Sequence, residues 1–165
     1  MEKRQLALET ESVAQTQTIG LRLARWLRSG DVLALAGELG AGKAAFTQGL
    51  ARGLGITVAV TSPTFVLINR YVAPDGRVLQ HADCYRLADA PAEMWDIGLA
   101  DLFAGDDVVV IEWADRIVGL LPDEYLQVDF TYLNEARRRL CFVAHGIRYV
   151  ELLTACYSDL IPAPG

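Results

Sequence analysis

The chain has 165 residues, of which 52% are hydrophobic and 22% are charged, and its formal net charge is −6. This composition is typical of a folded globular protein rather than a disordered chain, and the charge argues against a protein that binds nucleic acid through a broad basic surface of its own. No apolar run approaches the roughly 18 residues of a membrane span, and the N-terminus lacks a signal-peptide core.

The first elements in chain order are a short strand and a helix. Residues 5–9 are consistent with an edge strand. Ser12 followed three positions later by Gln15 fits a capping box, which predicts a helix that runs to about Arg28. The helical spacing of four apolar residues predicts one buried stripe, made of Ile19, Leu23, Trp26 and Leu27.

The strongest pattern in the sequence is a strand, a glycine-rich loop and a helix. An apolar run of strand length at 32–36 is followed by GELGAGK at 37–43. A helical pattern then runs to a stop at Gly55, with an apolar residue at every fourth position (Phe46, Leu50 and Leu54). This order of elements is the context that a phosphate-binding P-loop requires.

Phosphate chemistry follows from the residue types in this loop. Glycines let backbone N–H groups approach phosphate oxygens, and the start of the helix adds a positive dipole end. Lys43 supplies a compact cation for the β- and γ-phosphates. The alternative is a glycine-rich turn with a surface lysine. We expect nucleotide contacts along the loop and the first helical turn, from Glu38, Leu39, Gly40, Ala41, Gly42, Lys43, Ala44 and Ala45.

A hydroxyl-rich loop and a hairpin follow. The sequence TSPT at 61–64 is either an ordinary turn or, beside a P-loop, a switch loop whose hydroxyls reach Mg²⁺ or the γ-phosphate. The next residues predict antiparallel strands at 65–72 and 77–82 around a turn at 73–76. A simple nucleotide kinase would continue with helices at this point.

Two carboxylates stand at the ends of predicted strands. Asp83 follows the second hairpin strand, and Glu112 follows four β-branched residues at 108–111, a pattern typical of a strand buried in a parallel sheet. In P-loop proteins an acid at the end of such a neighbouring strand faces Mg²⁺ and its waters. The alternatives are a solvent-facing acid at Glu112 and a turn cap at Asp83. His81 alone is more typical of a structural histidine.

The remaining patterns indicate scaffold. A helix is expected at 91–103, with Trp95, Leu99 and Leu102 as core contacts, and alternation predicts half-buried strands at 126–132 and 140–144. The arginines at 137–139 fit a solvated edge from which one could reach a phosphate. A short helix at 147–156 closes a mixed sheet with helices on both faces.

The whole chain is expected to form one domain. The prediction covers 1–165, with an ordered core at about 5–156 and a tail at 157–165. The three cysteines are widely spaced and form no CxxC pair, so we expect reduced cytoplasmic thiols at Cys84, Cys141 and Cys156.

Several separated stretches together resemble one family. They occur in its order and spacing: GELGAGK at 37–43, TSPTF at 61–65, HADCYRL at 81–87, IEW at 111–113 and LPDE at 121–124. Over about residues 5–155 the chain resembles TsaE, the YjeE-like P-loop ATPases of bacterial tRNA threonylcarbamoyladenosine synthesis.

The resemblance implies a P-loop NTPase-like three-layer α/β fold with a mixed sheet of about seven strands. It also implies ATP or ADP and Mg²⁺ as ligands, and ATP hydrolysis that depends on a complex with TsaB and TsaD. In that family TsaD transfers threonylcarbamoyl to adenosine 37 of tRNAs that decode ANN codons. The small ATPase resets the complex between cycles and meets tRNA only indirectly, in the cytoplasm.

The resemblance also implies roles for individual residues. By position, Lys43 contacts phosphate, Glu112 serves the Mg²⁺ shell, and Asp83 positions the attacking water or a metal-bound water. Ser62 and Thr64 correspond to the switch loop.

Near the N-terminus, Thr10 and Glu11 fall where the family approaches the base and ribose. The departure from the family pattern is at Ala44, where the family has the Thr that binds Mg²⁺; Ala45 replaces a second Thr. Because Mg²⁺ readily keeps water ligands, nucleotide binding is expected to survive this change better than catalysis.

The sequence therefore leaves three alternative functions. The first is a partner-dependent ATPase of tRNA modification. The second is a nucleotide-binding module of the same complex in which Ala44 has removed most hydrolysis. The third is a small-molecule kinase, although the sequence offers no long insertion that would form an arginine-bearing lid.

Overall fold

The structure, a computed structural model, describes residues 2–38, 40–60, 68–84 and 99–161. Seven strands lie within these ranges: β1 (Gln5–Thr10), β2 (Val32–Gly37), β3 (Ile68–Val72), β4 (Val78–Asp83), β5 (Val108–Glu112), β6 (Tyr125–Tyr132) and β7 (Arg138–His145). The described helices are α1 (Val13–Ala24), α2 (Lys43–Gly53), α3 (Leu99–Ala104), α4 (Ile147–Leu160) and a 3-10 helix (Ala114–Leu120).

The seven strands form one mixed sheet in the order β1-β7-β6-β2-β5-β4-β3. The four central strands β6, β2, β5 and β4 run parallel, whereas the β4–β3, β6–β7 and β7–β1 pairs are antiparallel. This confirms the expected α/β fold with a mixed sheet of about seven strands. The predicted burial of β5 is also confirmed, because all five of its residues are buried between two parallel neighbours.

Apolar side chains cover both faces of the sheet. On one face, residues from α1, α2 and α4 pack on alternate strand positions such as Leu33, Leu35 and Phe142. On the other face, Val32, Ala34, Val109 and Ile111 pack with side chains of α3 and the 3-10 helix. The successive residues of β2 therefore enter two different clusters, which gives the three-layer arrangement.

Helices α1 and α2 are in backbone contact. A Cβ atom built on Gly49 would lie 1.8 Å from the carbonyl oxygen of Gln17, and one built on Gly20 would lie 2.2 Å from that of Phe46. Only glycine fits at these two positions, because real Cβ contacts are never so short.

Two predicted helix boundaries were wrong. Helix α1 ends at Ala24, four residues before Arg28, so Trp26 lies beyond the helix. Trp26 is 37% exposed and its indole N–H donates to Asp159 Oδ2 at 2.9 Å, so it does not join the buried stripe. Helix α4 continues to Leu160, whose side chain is fully buried, so residues 157–160 are helical rather than part of a tail.

Parts of two other predictions lie outside the described residues. The predicted strand at 65–72 is observed from Ile68 onward. Of the predicted helix at 91–103, the structure describes α3, where Leu102 is half-buried against the second apolar cluster; Trp95 lies outside.

Candidate functional site

The glycine loop connects the end of β2 to the start of α2. The backbone has positive φ at Gly37 (142°), Gly40 (80°) and Gly42 (109°). At Gly37 a Cβ atom would also lie 2.6 Å from the carbonyl oxygen of Phe130 on β6. The N-terminus of α2 carries no side-chain cap, so its backbone N–H groups face the loop with their positive dipole end.

Lys43 is the first residue of α2 and is only 5% exposed. Its ammonium donates a hydrogen bond to the carbonyl oxygen of Gly37. It also lies 3.5 Å from the centroid of the Trp113 ring. Burial lowers the pKa of Lys43, and the negative charges of nearby carboxylates, Glu112 first and Asp83 among them, oppose that shift.

Asp83 and Glu112 lie side by side because the last residues of β4 and β5 are in register. Glu112 is in turn opposite Leu35, two residues before Gly37 on β2. The carboxyl ends of these parallel strands therefore bring both acids to the glycine loop. Together with Lys43 they line a cleft of about 340 Å³.

A histidine that sequence reasoning left out of the site contacts one of these acids. His81 Nε2 lies 2.6 Å from Glu112 Oε2, and both side chains are buried. The sequence could have indicated this contact, because side chains two positions apart on a strand project to the same face, as His81 and Asp83 do on β4.

Trp113 is the second residue that the sequence did not single out. It has φ 60°, a backbone conformation that a bulky residue rarely adopts, and it lines the cleft directly after Glu112. No sequence pattern predicts this conformation.

The opposite wall of the cleft comes from the start of α1 and from the β6–β7 turn. Val13 and Thr16 line it from α1, and Ala136 and Arg138 from the turn and β7. The guanidinium of Arg138 donates from Nε to the carbonyl oxygen of Gly40 at 3.0 Å, and lies 4.5 Å from the Tyr132 ring centroid. Of the three arginines predicted at a solvated edge, this one reaches the cleft.

The other two arginines are not among the described residues that line the cleft. Arg137 and Arg139 both pair with the carboxylate of Glu9, and the Arg139 contact measures 3.0 Å.

Thr10 and Glu11 do not belong to the described lining of the cleft. The hydroxyl of Thr10 is completely buried and lies 2.7 Å from that of Thr16, so it supports a cleft residue from behind. Glu11 is exposed and its backbone N–H donates to Gln15 Oε1 at 2.8 Å.

The remaining residues predicted to contact the nucleotide differ in where they lie. Gly40, Gly42, Ala44 and Ala45 line the cleft. Glu38 is exposed, and Ala41 is buried with its N–H bonded to the Glu38 carbonyl at 3.0 Å. Leu39, Ser62 and Thr64 lie outside the described residues.

The donor set at this cleft suits Mg²⁺ only in company with a phosphate. Ala44 and Ala45 offer methyl groups, and the hydroxyl of Thr47 is buried and donates to the Lys43 carbonyl at 2.9 Å. Among the residues described, no group of three or more His, Cys, Asp or Glu side chains could hold a metal by itself. Mg²⁺ commonly binds one or two carboxylates plus phosphate oxygens and waters. Asp83 and Glu112 could supply the carboxylates, and a bound nucleotide the phosphate oxygens.

None of the described helices is both long enough and apolar enough to cross a membrane.

Comparison with known proteins gives a consistent result. The family model described as "Threonylcarbamoyl adenosine biosynthesis protein TsaE" matches residues 10–140. A "tRNA threonylcarbamoyladenosine biosynthesis protein TsaE" from Bacillus subtilis (strain 168) is 43% identical over 150 residues, which cover 90% of this chain and 92% of that protein. A protein of the same name from Streptomyces coelicolor is 43% identical over 134 residues, covering 71% of this chain and 90% of its own.

A solved structure is similar over almost the whole chain. The crystal structure of YdiB from Bacillus subtilis superposes with a TM-score of 0.81 at 38% sequence identity. The match covers 96% of this chain and 97% of that one.

Proposed function

This chain belongs to the TsaE family of tRNA threonylcarbamoyladenosine biosynthesis, and we propose that within that pathway it binds ATP and hydrolyses it. The observation that carries the proposal is the meeting of Lys43, Asp83 and Glu112 at one cleft beside an uncapped helix N-terminus. This combination of a cation, backbone donors and paired acids suits a metal-bound nucleoside triphosphate.

Phosphate binding uses the loop and Lys43. The N–H groups at the start of α2 hydrogen-bond the phosphate oxygens, and the helix dipole favours their negative charge. Lys43 exchanges its contact with the Gly37 carbonyl for the β- and γ-phosphates. The nucleoside lies toward Val13 and Arg138, where an apolar side chain and a planar guanidinium can pack on a flat ring.

The two acids serve the reacting end of the nucleotide. Glu112 and Asp83 would hold Mg²⁺ through direct or water-mediated contacts, and the ion would neutralise the charge that develops on the phosphoryl oxygens. Asp83 is half-buried at the end of β4, where its carboxylate orients the attacking water. Both residues act by positioning, which supplies most of the rate enhancement in phosphoryl transfer.

The cellular role is accessory. The ATPase acts with TsaB and TsaD in the cytoplasm and resets their complex between cycles, and tRNA is met only through that complex. The net charge of −6 supports the indirect contact, because 21 acidic residues outnumber the 15 Lys and Arg residues that could bind RNA phosphates.

A second candidate function is a nucleotide sensor that hydrolyses ATP very slowly. The specific observation in its favour is Ala44 at the first turn of α2, since the hydroxyl of Thr47 is already bonded to a backbone carbonyl. In this case ATP and ADP would set the conformation of the complex without frequent turnover.

The deciding experiment measures phosphate release from ATP by the chain alone, by TsaB–TsaD alone and by the three together. Turnover that appears only in the full mixture and disappears with Lys43→Ala supports the ATPase. Tight ATP binding without phosphate release in any mixture supports the sensor. Transfer of phosphate to an added acceptor without free phosphate would replace both with a kinase.

A further inference from the structure

His81 and Glu112 make a short side-chain contact at the carboxyl ends of β4 and β5. His81 is 1% exposed and Glu112 is 4% exposed, and their atoms Nε2 and Oε2 are 2.6 Å apart. The other ring nitrogen of His81, Nδ1, is buried without a hydrogen-bond partner in the described structure. The described polar contact of the imidazole is therefore the one between Nε2 and the Glu112 carboxylate.

The strand register explains why the two side chains meet. Glu112 on β5 is opposite Asp83 on β4, and His81 is opposite Val110, one pleat earlier on the same face of the sheet. The Glu112 carboxylate therefore leans diagonally along the strands to reach His81. A histidine Nε2–H can donate to a carboxylate oxygen, which only accepts hydrogen bonds when the carboxylate is ionised.

His81 does not line the cleft, whereas Glu112 does. An apolar residue could fill a purely structural position here, since Leu79, which projects to the same face of β4, is fully buried. A buried imidazole with an orphaned nitrogen carries a desolvation cost. The hydrogen bond between Nε2 and Glu112 offsets part of that cost, and a role in holding this carboxylate gives a reason for a histidine at this position.

On the premise of the proposed ATPase, we propose that His81 is a positioning residue for the reaction. It holds Glu112 Oε2 and so fixes the orientation in which the Glu112 carboxylate meets the metal–nucleotide complex. His81 itself touches neither metal nor nucleotide. Small displacements of a positioning group can cost about a hundredfold in rate, so this single hydrogen bond bears on turnover.

The test compares His81→Leu with His81→Gln. Glutamine places its Nε2 donor near the position of the imidazole Nε2, whereas leucine fills the space without a donor. His145→Leu is the matched control, because the Nε2 atom of His145 also makes a short contact, 2.7 Å to Gln127 Oε1, but away from this cleft. Three quantities are measured: ATP turnover with TsaB and TsaD, ADP affinity without metal, and binding of Mn²⁺ to the ADP complex by electron paramagnetic resonance.

We expect His81→Leu to lower kcat by about tenfold or more and to weaken Mn²⁺ binding, while metal-free ADP affinity changes less than about twofold. His81→Gln should recover most of both losses, and His145→Leu should match the wild type. Equal behaviour of His81→Leu and wild type, or equal losses in the Leu and Gln variants, would overturn the positioning role.

Thermal unfolding identifies a variant that does not fold. If His81→Leu is unfolded, His81→Asn replaces it, because the shorter amide does not reach the Nε2 position; Gln must then exceed Asn in Mn²⁺ binding. Measuring ATP turnover of the wild type distinguishes a failure of the ATPase proposal from a failure of the proposed role of His81. Absence of turnover in the wild-type complex rejects the ATPase, whereas the Mn²⁺ comparison still accepts or rejects the role of His81.

Discussion

The ammonium of Lys43 lies over the face of the Trp113 ring, 3.5 Å from its centroid. The lysine is buried yet surrounded by compensating groups: an aromatic face, a loop carbonyl and two cleft carboxylates. A phosphate group that enters the cleft would meet a cation already stripped of most of its water. Such a cation interacts more strongly than one at the protein surface.

Lys43→Ala should therefore weaken binding of both ATP and ADP by about 1.5–3 kcal/mol, the scale of a hydrogen bond to a charged group. Isothermal titration calorimetry measures the change. The matched control is Lys3→Ala, since the Lys3 ammonium also lies over an aromatic ring, 4.2 Å from the Tyr157 centroid, but outside the cleft. Unchanged affinity in Lys43→Ala would place the phosphates elsewhere.

Glu112→Gln and Asp83→Asn should fold and bind ADP without metal, yet lose ATP hydrolysis in the complex with TsaB and TsaD. Each change keeps the shape of the side chain and removes the negative charge that suits Mg²⁺. Phosphate release and ADP titration give the two readouts. Asp107→Asn is the control, because Asp107 accepts a hydrogen bond from Gln80 at 3.0 Å outside the cleft lining. Wild-type turnover in the first two variants would reduce the acids to structural roles.

Ala44→Thr should raise ATP turnover in the partner complex by about tenfold or more, equivalent to roughly 1.4 kcal/mol of barrier. Ala44 is exposed and lines the cleft at the first turn of α2, so a hydroxyl there would face a metal ion bound in the cleft. Ala44→Val adds the same bulk without an oxygen and should give no gain. Equal turnover in the Ala, Thr and Val forms across a range of Mg²⁺ would show that position 44 is no defect.

Gly49→Ala should destabilise the fold by about 1–3 kcal/mol, the usual cost of overpacking. The added methyl group would overlap the Gln17 carbonyl, so α1 and α2 must separate. Denaturant unfolding measures the loss. Gly119→Ala is a suitable control because a Cβ atom there would meet nothing within 4 Å. A wild-type midpoint in Gly49→Ala would mean that the helices move apart at little cost.

Stability should fall at alkaline pH. Burial raises the pKa of the Cys84 and Cys156 thiols from 9.0 to about 12, and that of the Tyr149 phenol from 10.0 to about 12. The contribution of these three groups to the free energy of unfolding is fully present below their pKa values in the unfolded chain. It is lost as the pH rises from about 9 through 12, because the unfolded chain then releases protons that the folded chain keeps. Urea unfolding at pH 8 and pH 10.5 measures the effect. A Cys84→Ala, Cys156→Ala double variant should show a smaller fall, and an identical fall would assign it to other groups.

Much of the fold was accessible from the sequence because it depends on local patterns. The run of β-branched residues at 108–111 specified a buried parallel strand, and alternation specified β6 and β7. The end of α1 was misjudged because apolar spacing continues to Trp26, while the chain leaves the helix after Ala24. The indole N–H of Trp26 then donates to Asp159, a partner far away in the sequence that local spacing does not reveal.

The candidate site was only partly accessible for the same reason. Lys43, Asp83 and Glu112 carry their own signals, a motif and two strand ends. The roles of His81 and Arg138 depend on strand register and on a turn geometry that brings distant segments together. The conformation of Trp113 is a tertiary effect that no propensity records.

The glycine contacts between α1 and α2 bear on how the cleft can change shape. Helix α1 begins beside one wall of the cleft at Val13, and α2 begins at Lys43 on its floor. With their backbones in contact at Gly20 and Gly49, the two helices cannot approach further. We therefore expect α1 and α2 to move as one rigid body, so that closure of the cleft around a nucleotide would involve the ends of β4 and β5. Amide hydrogen exchange should then slow at β4 and β5 when nucleotide binds, while the exchange rates of α1 and α2 stay unchanged.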